Sequence, residues 1–346
     1  MRRLQIEIVE LPLARPFVIS RGARLAVTVV RVAIEQDGLC GWGECTPTAR
    51  YQEYPDSVCE QLEAMRSEIE AGIDSQGLRL KMPPGSARNA LDCALLRLDA
   101  ARTGRSLWQV AGCRPPVAGG IVTAETLSLG SVAMMSAAAA DAVSRGATLL
   151  KIKLDRDLIL EKVSAIRACA PQATLIIDAN EAWGGVDLHS LFTALQPYNI
   201  AMIEQPLPAD DDSDLMRCAH PIPVCADESC HHAGEIADLR GRYEMINIKL
   251  DKCGGLTEAL VMAEEASRQG LRVMVGCMLG SSLAMEAALP VAVAAEIVDL
   301  DGPLWLAEDV APRLEYSAGR VWFASAPSPV LSGENAPQQP MVLSDE

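Results

Sequence analysis

Leu149-Leu150-Lys151-Ile152-Lys153, Thr174-Leu175-Ile176-Ile177-Asp178, Ala201-Met202-Ile203-Glu204, Pro223-Val224-Cys225-Ala226-Asp227, Met245-Ile246-Asn247-Ile248-Lys249 and Ile297-Val298-Asp299-Leu300-Asp301 are short apolar runs that all end in charge. Runs of this length read as parallel strands buried on both faces. The ends at Lys153, Asp178, Glu204, Asp227 and Lys249 follow one another at 25, 26, 23 and 22 residues. One strand, one helix and two short loops consume that spacing. Its repetition predicts an α/β fold of the (β/α) barrel type, in which active sites sit at the C-terminal ends of the strands. Every one of these charges lies at such an end.

The 346 residues exceed a minimal barrel by roughly 100, since about 250 suffice, so a second, smaller domain is expected. Hydrophobic residues make up 49% and aromatic ones only 4%, which predicts a core of Leu, Val, Ile and Ala. A net charge of −16 argues against nucleic acid or an anionic membrane as partner. The N-terminal apolar run is broken by Glu7 and Glu10, a poor signal-peptide core. The uncharged stretch Thr126–Ala140 falls short of a membrane span. Eleven cysteines scattered through apolar segments, an odd count, read as reduced thiols of a cytoplasmic enzyme. The oligomeric state stays open, a homo-oligomer included.

Residues 1–115 read as an α+β capping domain. A strand at 4–10, a loop at Pro16–Arg24, a strand at Leu25–Ile34 and a turn at Asp37-Gly38 into Leu39–Glu44 make a meander. Helical patterns follow at 57–70 and Ser86–Thr103. Arg114-Pro115-Pro116 marks the boundary to a barrel over 116–309. That barrel opens with a strand at Ile121–Leu127 and a helix at Val132–Arg145 capped by Gly146. Further helices are expected near 156–169, 187–196, 211–219, 233–240, 256–269 and 281–295. Residues 310–327, with a strand at Arg320–Phe323, return to the first domain, and 328–346 read as a disordered tail.

Asp178, Glu204 and Asp227 stand at equivalent depth on consecutive strands, about 4.8 Å apart, so their oxygens can converge on one hard cation such as Mg²⁺. A helix cap or an ion pair explains one such acid but not three in register. Lys151 and Lys153 share a strand face, and Lys249 comes from the far side of the ring. Two lysines facing each other across a metal-bound substrate suit carbon-acid chemistry. One takes a proton from carbon, the metal holds the enolate, and the other returns a proton from the opposite face. The alternative is a structural salt-bridge net that neutralises the acids, a costly use of buried charge. Burial and neighbouring cations, the metal among them, are expected to lower the lysine pKa values. Asp299 and Asp301, two apart, would hold a cationic group, or mark a surface turn at Asp301-Gly302-Pro303. Cys225, Cys230, His231 and His232 lack the second ligand pair a zinc site needs.

With these residues in view the chain resembles the enolase superfamily, in its muconate-lactonizing subgroup, and is similar to the dipeptide epimerases of proteobacteria that act on L-Ala-D/L-Glu. The likeness rests on Lys151-Ile152-Lys153, Asp178-Ala179-Asn180, Glu204-Gln205-Pro206, Ala226-Asp227-Glu228, Lys249-Leu250-Asp251 and Asp299-Leu300-Asp301. Pro16-Phe17-Val18-Ile19, Arg21-Gly22 and Ala87-Arg88-Asn89-Ala90 extend it over nearly the whole chain. It implies a modified (β/α)7β TIM-type barrel under a capping domain, with one Mg²⁺ per subunit on Asp178, Glu204 and Asp227. It implies 1,1-proton transfer between Lys153 and Lys249 through a metal-stabilised enolate, with Lys151 beside the enolate oxygen. Asp299 and Asp301 would take the dipeptide ammonium and Arg24 the glutamate side chain, with Thr126 as a further substrate contact. Asn180 and Glu228 would support the metal ligands. The implied function is interconversion of L-Ala-D-Glu and L-Ala-L-Glu, in murein peptide recycling. Many dipeptide epimerases carry Glu-Ser after the Cys-Met of the seventh strand, whereas this chain has Leu279 and then Gly280-Ser281.

Cycloisomerase, o-succinylbenzoate synthase and N-acylamino acid racemase reactions use substrates without an ammonium, against which Asp299 and Asp301 argue. A non-catalytic metal-binding barrel would need neither Lys153 nor Lys249.

Overall fold

The computed structural model describes residues 2–114 and 119–323. The expected tail at 328–346 and the Pro115-Pro116 part of the boundary lie outside them. Three long strands open the chain: β1 (Arg3–Ile19), β2 (Gly22–Gln36) and β3 (Leu39–Cys45) form an antiparallel meander in sequence order. The Asp37-Gly38 turn has both residues at positive φ, 54° and 80°, as a two-residue hairpin requires. The expected loop at Pro16–Arg24 is instead the paired tip of the β1/β2 hairpin. Phe17 stands opposite Arg24 and Ile19 opposite Gly22, past a register shift between Pro12 and Phe17 that hides the alternation. Val18 is tied to the barrel by its N–H to Ser128 Oγ (2.8 Å) and its carbonyl to Leu129 N (2.9 Å).

The helix expected at 57–70 is two, Pro55–Ala64 and Arg66–Ala71, because the ladder tightens at Met65, whose N–H bonds to Leu62. Ser86–Thr103 is a helix over the expected range, between Gly85 and Gly104. It covers Val30, Val32 and Ile34 with Ala90, Leu91, Ala94 and Leu98, one hydrophobic core of this part.

The expected strand at Ile121–Leu127 is split into β4 (Gly119–Val122) and β5 (Glu125–Leu127), because the chain changes sheets between them. From β5 onward the sheet is parallel through β6 (Leu149–Lys153), β7 (Thr174–Asp178), β8 (Ile200–Glu204), β9 (Val224–Ala226), β10 (Met245–Ile248), β11 (Arg272–Val275) and β12 (Ile297–Val298), in that spatial order. Ala124 N–H bonds to Val298 O (2.8 Å), so the two edges meet. Ala124, Leu149, Ile176, Met202, Cys225, Met245, Met274 and Ile297 fill the interior beneath the charged ends. Helices close the outside, but those expected near 211–219 and 233–240 are 3-10 segments, Ser213–Arg217 and Ala233–Leu239. Pro221 and Pro223 beyond the first and Gly241 beyond the second leave too little chain for a cooperative α-helix. Two last strands, β13 (Glu315–Ser317) and β14 (Arg320–Phe323), pair with each other, and β14 pairs with β4 rather than with the N-terminal meander.

Polar groups fix the meander and its helix onto the barrel. Gly254 and Gly255, at φ 83° and 108°, lie against Arg88 and Asp92, where a Cβ would come within 2.3 and 2.4 Å of their side chains. The Arg88 guanidinium then bonds Gly254 O (3.2 Å), and Asp92 accepts from Thr257 N (2.9 Å) and Oγ1 (2.6 Å). Asp251 accepts from Thr46 N and Asn89 Nδ2, both at 2.9 Å. These contacts hold the β1/β2 tip above the mouth of the barrel.

Candidate active site

Lys153, Asp178 and Glu204 lie side by side in register across β6, β7 and β8, and Glu204 stands opposite Cys225 on β9. Asp227 follows two residues after Cys225, and Lys249 directly follows β10. In the ring of eight strands β6 and β10 are four places apart, so Lys153 and Lys249 rise from opposite sides with the three carboxylates on the strands between. All five side chains are buried.

The charges interlock. Lys151 Nζ lies 2.7 Å from Glu204, 2.8 Å from Asp299 and 3.1 Å from Asp178. Lys153 is 2.6 Å from Asp178 and Lys249 2.7 Å from Asp227. Burial opposes charge on Lys151 and Lys249, yet the carboxylates outweigh it and raise both above the ordinary lysine range. The lowering expected from the sequence counts the metal among the neighbouring cations and concerns the loaded site. A divalent cation on the same carboxylates would take up their field and let burial dominate. Asp178, also buried, is held below the usual range by Lys153 and Lys151, and Asp227 by Lys249 and Lys252. Glu204 is pushed up by burial and by Asp178.

The donors suit a hard cation. Glu204 Oε2 and Asp227 Oδ1 are buried, and each faces one ammonium at 2.7 Å, that of Lys151 and of Lys252. Oxygen donors from three neighbouring strands, two of them with a free lone pair, match the preference of Mg²⁺. Among the described residues no three His, Cys, Asp or Glu side chains are drawn into a shell around one point, because ammonium groups stand between these carboxylates. His231 bonds the Glu228 carbonyl and stacks edge-on against Tyr51.

Other candidates take more varied places. Asp299 spends one oxygen on Lys151, while its Oδ1 is buried without a partner. Asp301 accepts from Thr126 N (2.7 Å) and Trp305 Nε1 (3.3 Å), and burial with Asp299 nearby raises its carboxyl to about 6. Thr126 therefore meets the site through Asp301, with its backbone N–H and its side chain. Arg24 is exposed at the hairpin tip with no ion pair among the described residues. Phe17, opposite Arg24 in register and so on the same face, lies with its ring 6.0 Å from Lys153 Nζ. The face that carries Arg24 thus overhangs the catalytic candidate. Asn180 N–H bonds Asp178 Oδ1 (2.9 Å), and Glu228 pairs with Arg21 (3.0 Å). At Gly280 a side chain would begin 3.3 Å from Glu44 Oε1, whose carboxylate bonds Ser281 N and Oγ, both at 2.7 Å.

Sequence reasoning missed four side chains here. Arg21 reaches from the hairpin tip to Glu228, Glu181 and the Asn180 carbonyl. Lys252 lies 2.7 Å from Asp227 Oδ1 and also bonds the Cys230 and Asn247 carbonyls. Asn247 donates to Glu204 Oε1 (2.7 Å). Gln205 sits behind Glu204 and Asp227. Asn247 carried a local signal, a lone polar residue in an apolar strand, two before Lys249 and so on its face, while Arg21 and Gln205 stood in segments that carry the family likeness.

Two family descriptions cover most of the chain: "Mandelate racemase / muconate lactonizing enzyme, N-terminal domain" at residues 2–112 and "Enolase C-terminal domain-like" at 134–327. The chain belongs to this branch of the enolase superfamily. The L-Ala-D/L-Glu epimerase of Escherichia coli K12 is 47% identical to this superfamily member over 321 residues, 93% of this chain and 99% of that one. An N-acetyl-D-glutamate racemase of Pseudoalteromonas sp. is 38% identical over 85% of this chain and 92% of its own. A crystal structure from Agrobacterium tumefaciens, of an enolase family member with homology to dipeptide epimerases and bound sodium and L-Ala-L-Glu, superposes with a TM-score of 0.89. It is 45% identical and covers 94% of this chain and 98% of that one. Epimerases and racemases are isomerases, and the superfamily member described here is an enzyme of that class.

Proposed function

We propose that this chain is a Mg²⁺-dependent dipeptide epimerase that interconverts L-Ala-D-Glu and L-Ala-L-Glu by 1,1-proton transfer. The observation that carries the reading is the placement of Lys153 and Lys249 on opposite sides of one ring, with Asp178, Glu204 and Asp227 between them. Asp178, Glu204 and Asp227 would hold Mg²⁺, which would supply Lewis-acid polarisation of the substrate's terminal carboxylate and offset the charge that develops there. Lys153 and Lys249 then face the two sides of the glutamate α-carbon, one removing its proton and the other returning one. Lys151, charged and buried beside Glu204 and Asp178, adds positive potential where negative charge accumulates. The orphaned Asp299 oxygen, with Asp301 beside it, offers the dipeptide ammonium an acceptor. An N-acyl substrate would leave that oxygen unsatisfied, although a racemase of N-acetyl-D-glutamate is among the relatives.

Arg24 would hold the glutamate side chain through a forked, charge-assisted contact. Arg24→Ala is expected to raise KM for Glu-ended dipeptides by roughly ten-fold or more, since such a bond is worth about 1.5–3 kcal/mol. Apolar-ended dipeptides should change little. An equal rise on both, in steady-state assays, would remove Arg24 from the specificity pocket.

Eleven unpaired thiols fit a reducing compartment, and a D-Glu-containing dipeptide fits recycling of murein peptides in the cytoplasm. The test of the function is a substrate panel of both Ala-Glu diastereomers, an apolar dipeptide and N-acetyl-D-glutamate, resolved by chiral chromatography. The highest kcat/KM is expected on Ala-Glu; faster turnover of N-acetyl-D-glutamate would replace this assignment.

A further inference from the structure

Glu204 and Asp227 belong to neighbouring strands whose pairing is short. Only Ile203–Val224 and Glu204–Cys225 are in register, and the last backbone rung runs from Gln205 N–H to Cys225 O (2.9 Å). Asp227 lies beyond that rung, so the ladder itself does not fix its position. The side chain of Gln205 continues where the ladder stops. Its Oε1 accepts from the backbone N–H of Asp227 (2.9 Å) and of Ser229 (3.1 Å). Its Nε2 shares two protons among Leu207 O (2.8 Å), Ser229 Oγ (2.9 Å) and Tyr243 Oη (3.0 Å).

The amide is held from behind. Ser229 Oγ and Tyr243 Oη both donate to Asp212 Oδ2, at 2.8 and 2.6 Å, and Arg242 pairs with the other Asp212 oxygen. Gln205 is fully buried and sits at φ +35°, a left-handed conformation that a non-glycine residue adopts at a cost. That backbone turn carries the side chain from the end of β8 across to the end of β9. A purely apolar packing role would need neither the conformation nor the five hydrogen bonds.

We propose that Gln205 is a positioning residue: its buried amide acts as the missing rung between β8 and β9 and sets the spacing of Glu204 and Asp227 for a shared cation. The proposal rests on the Mg²⁺ reading of those two carboxylates. Neighbours that orient ligands in this way typically govern ten- to hundred-fold in metal affinity.

The test is isothermal titration calorimetry of the full-length purified chain with MgCl₂, paired with thermal unfolding in chelator. Gln205→Leu, similar in size but without the amide, is expected to weaken Mg²⁺ binding by about ten-fold or more. Gln205→Glu keeps the acceptor for Asp227 and Ser229 and loses the donors, so a smaller loss of affinity is expected. If Gln205→Leu does not fold, Gln205→Met, which also lacks the amide, carries the same comparison. Mg²⁺ affinity equal to wild type in the folded variant, with only a lower Tm, means a structural role and overturns the proposal. Wild-type protein that releases no heat with Mg²⁺ overturns the metal reading itself, and the proposal with it, and is told apart by that control.

Discussion

Lys249→Ala abolishes epimerisation in this account, with kcat falling by roughly 10²–10⁴-fold, the usual contribution of one acid–base group. Lys249 is the sole lysine on its side of the ring whose ammonium lies free of backbone acceptors among the described residues. Nearby Lys252 is spent on the Asp227, Cys230 and Asn247 carbonyls. No neighbour can therefore take over. Lys153 still faces the other side of the α-carbon, so the variant should exchange the α-proton of one diastereomer with solvent deuterium while forming none of the other. Lys153→Ala should show the complementary pattern. Unchanged turnover in either variant, or exchange of both diastereomers, contradicts a two-base mechanism.

Lys151→Ala is expected to have the second largest effect, and on two quantities at once. Its ammonium is shared by Asp178, Glu204 and Asp299 and is almost wholly out of solvent. Removing it leaves buried Asp299 without its ammonium and weakens the pairing of Asp178 and Glu204, and breaking a buried ion pair from one side costs about 3–5 kcal/mol. Urea unfolding in chelator should register that loss. Mg²⁺ should return part of it, because a ligand at 100 times its Kd adds about 2.7 kcal/mol, and should stabilise the variant more than the wild type. Turnover should fall in the Mg²⁺-loaded variant as well, since positive potential beside the reacting carboxylate is lost. A variant as stable as wild type in chelator contradicts the burial argument, and one with full kcat contradicts the electrostatic role.

The ring of charged side chains was more legible in the sequence than the way the two halves of the molecule meet. Lys151, Lys153, Asp178, Glu204, Asp227, Lys249 and Asp299 were readable because each ends a buried apolar run, and a parallel sheet brings such ends to one level. The helices at Ser86–Thr103 and Leu256–Gln269 were readable because glycines bracket both. Arg21 was not, since its partner Glu228 lies 207 residues away and nothing local marks the contact. The hairpin tip read as a loop because a register shift between Pro12 and Phe17 breaks the period-two pattern. Gln205 and Lys252 read as ordinary polar residues just past strand ends. Their roles arise from where β9 stops and which carbonyls are left over, quantities that only the folded chain sets.

The central claim is a metal-dependent exchange of the glutamate α-proton between two faces. Proton NMR of L-Ala-D-Glu in D₂O with the enzyme and Mg²⁺ tests it most directly. The account predicts loss of the Glu α-proton signal together with the appearance of L-Ala-L-Glu, arrested by chelator and restored by added Mg²⁺. An α-proton signal that persists with Mg²⁺ present, or turnover that survives complete chelation, would contradict it.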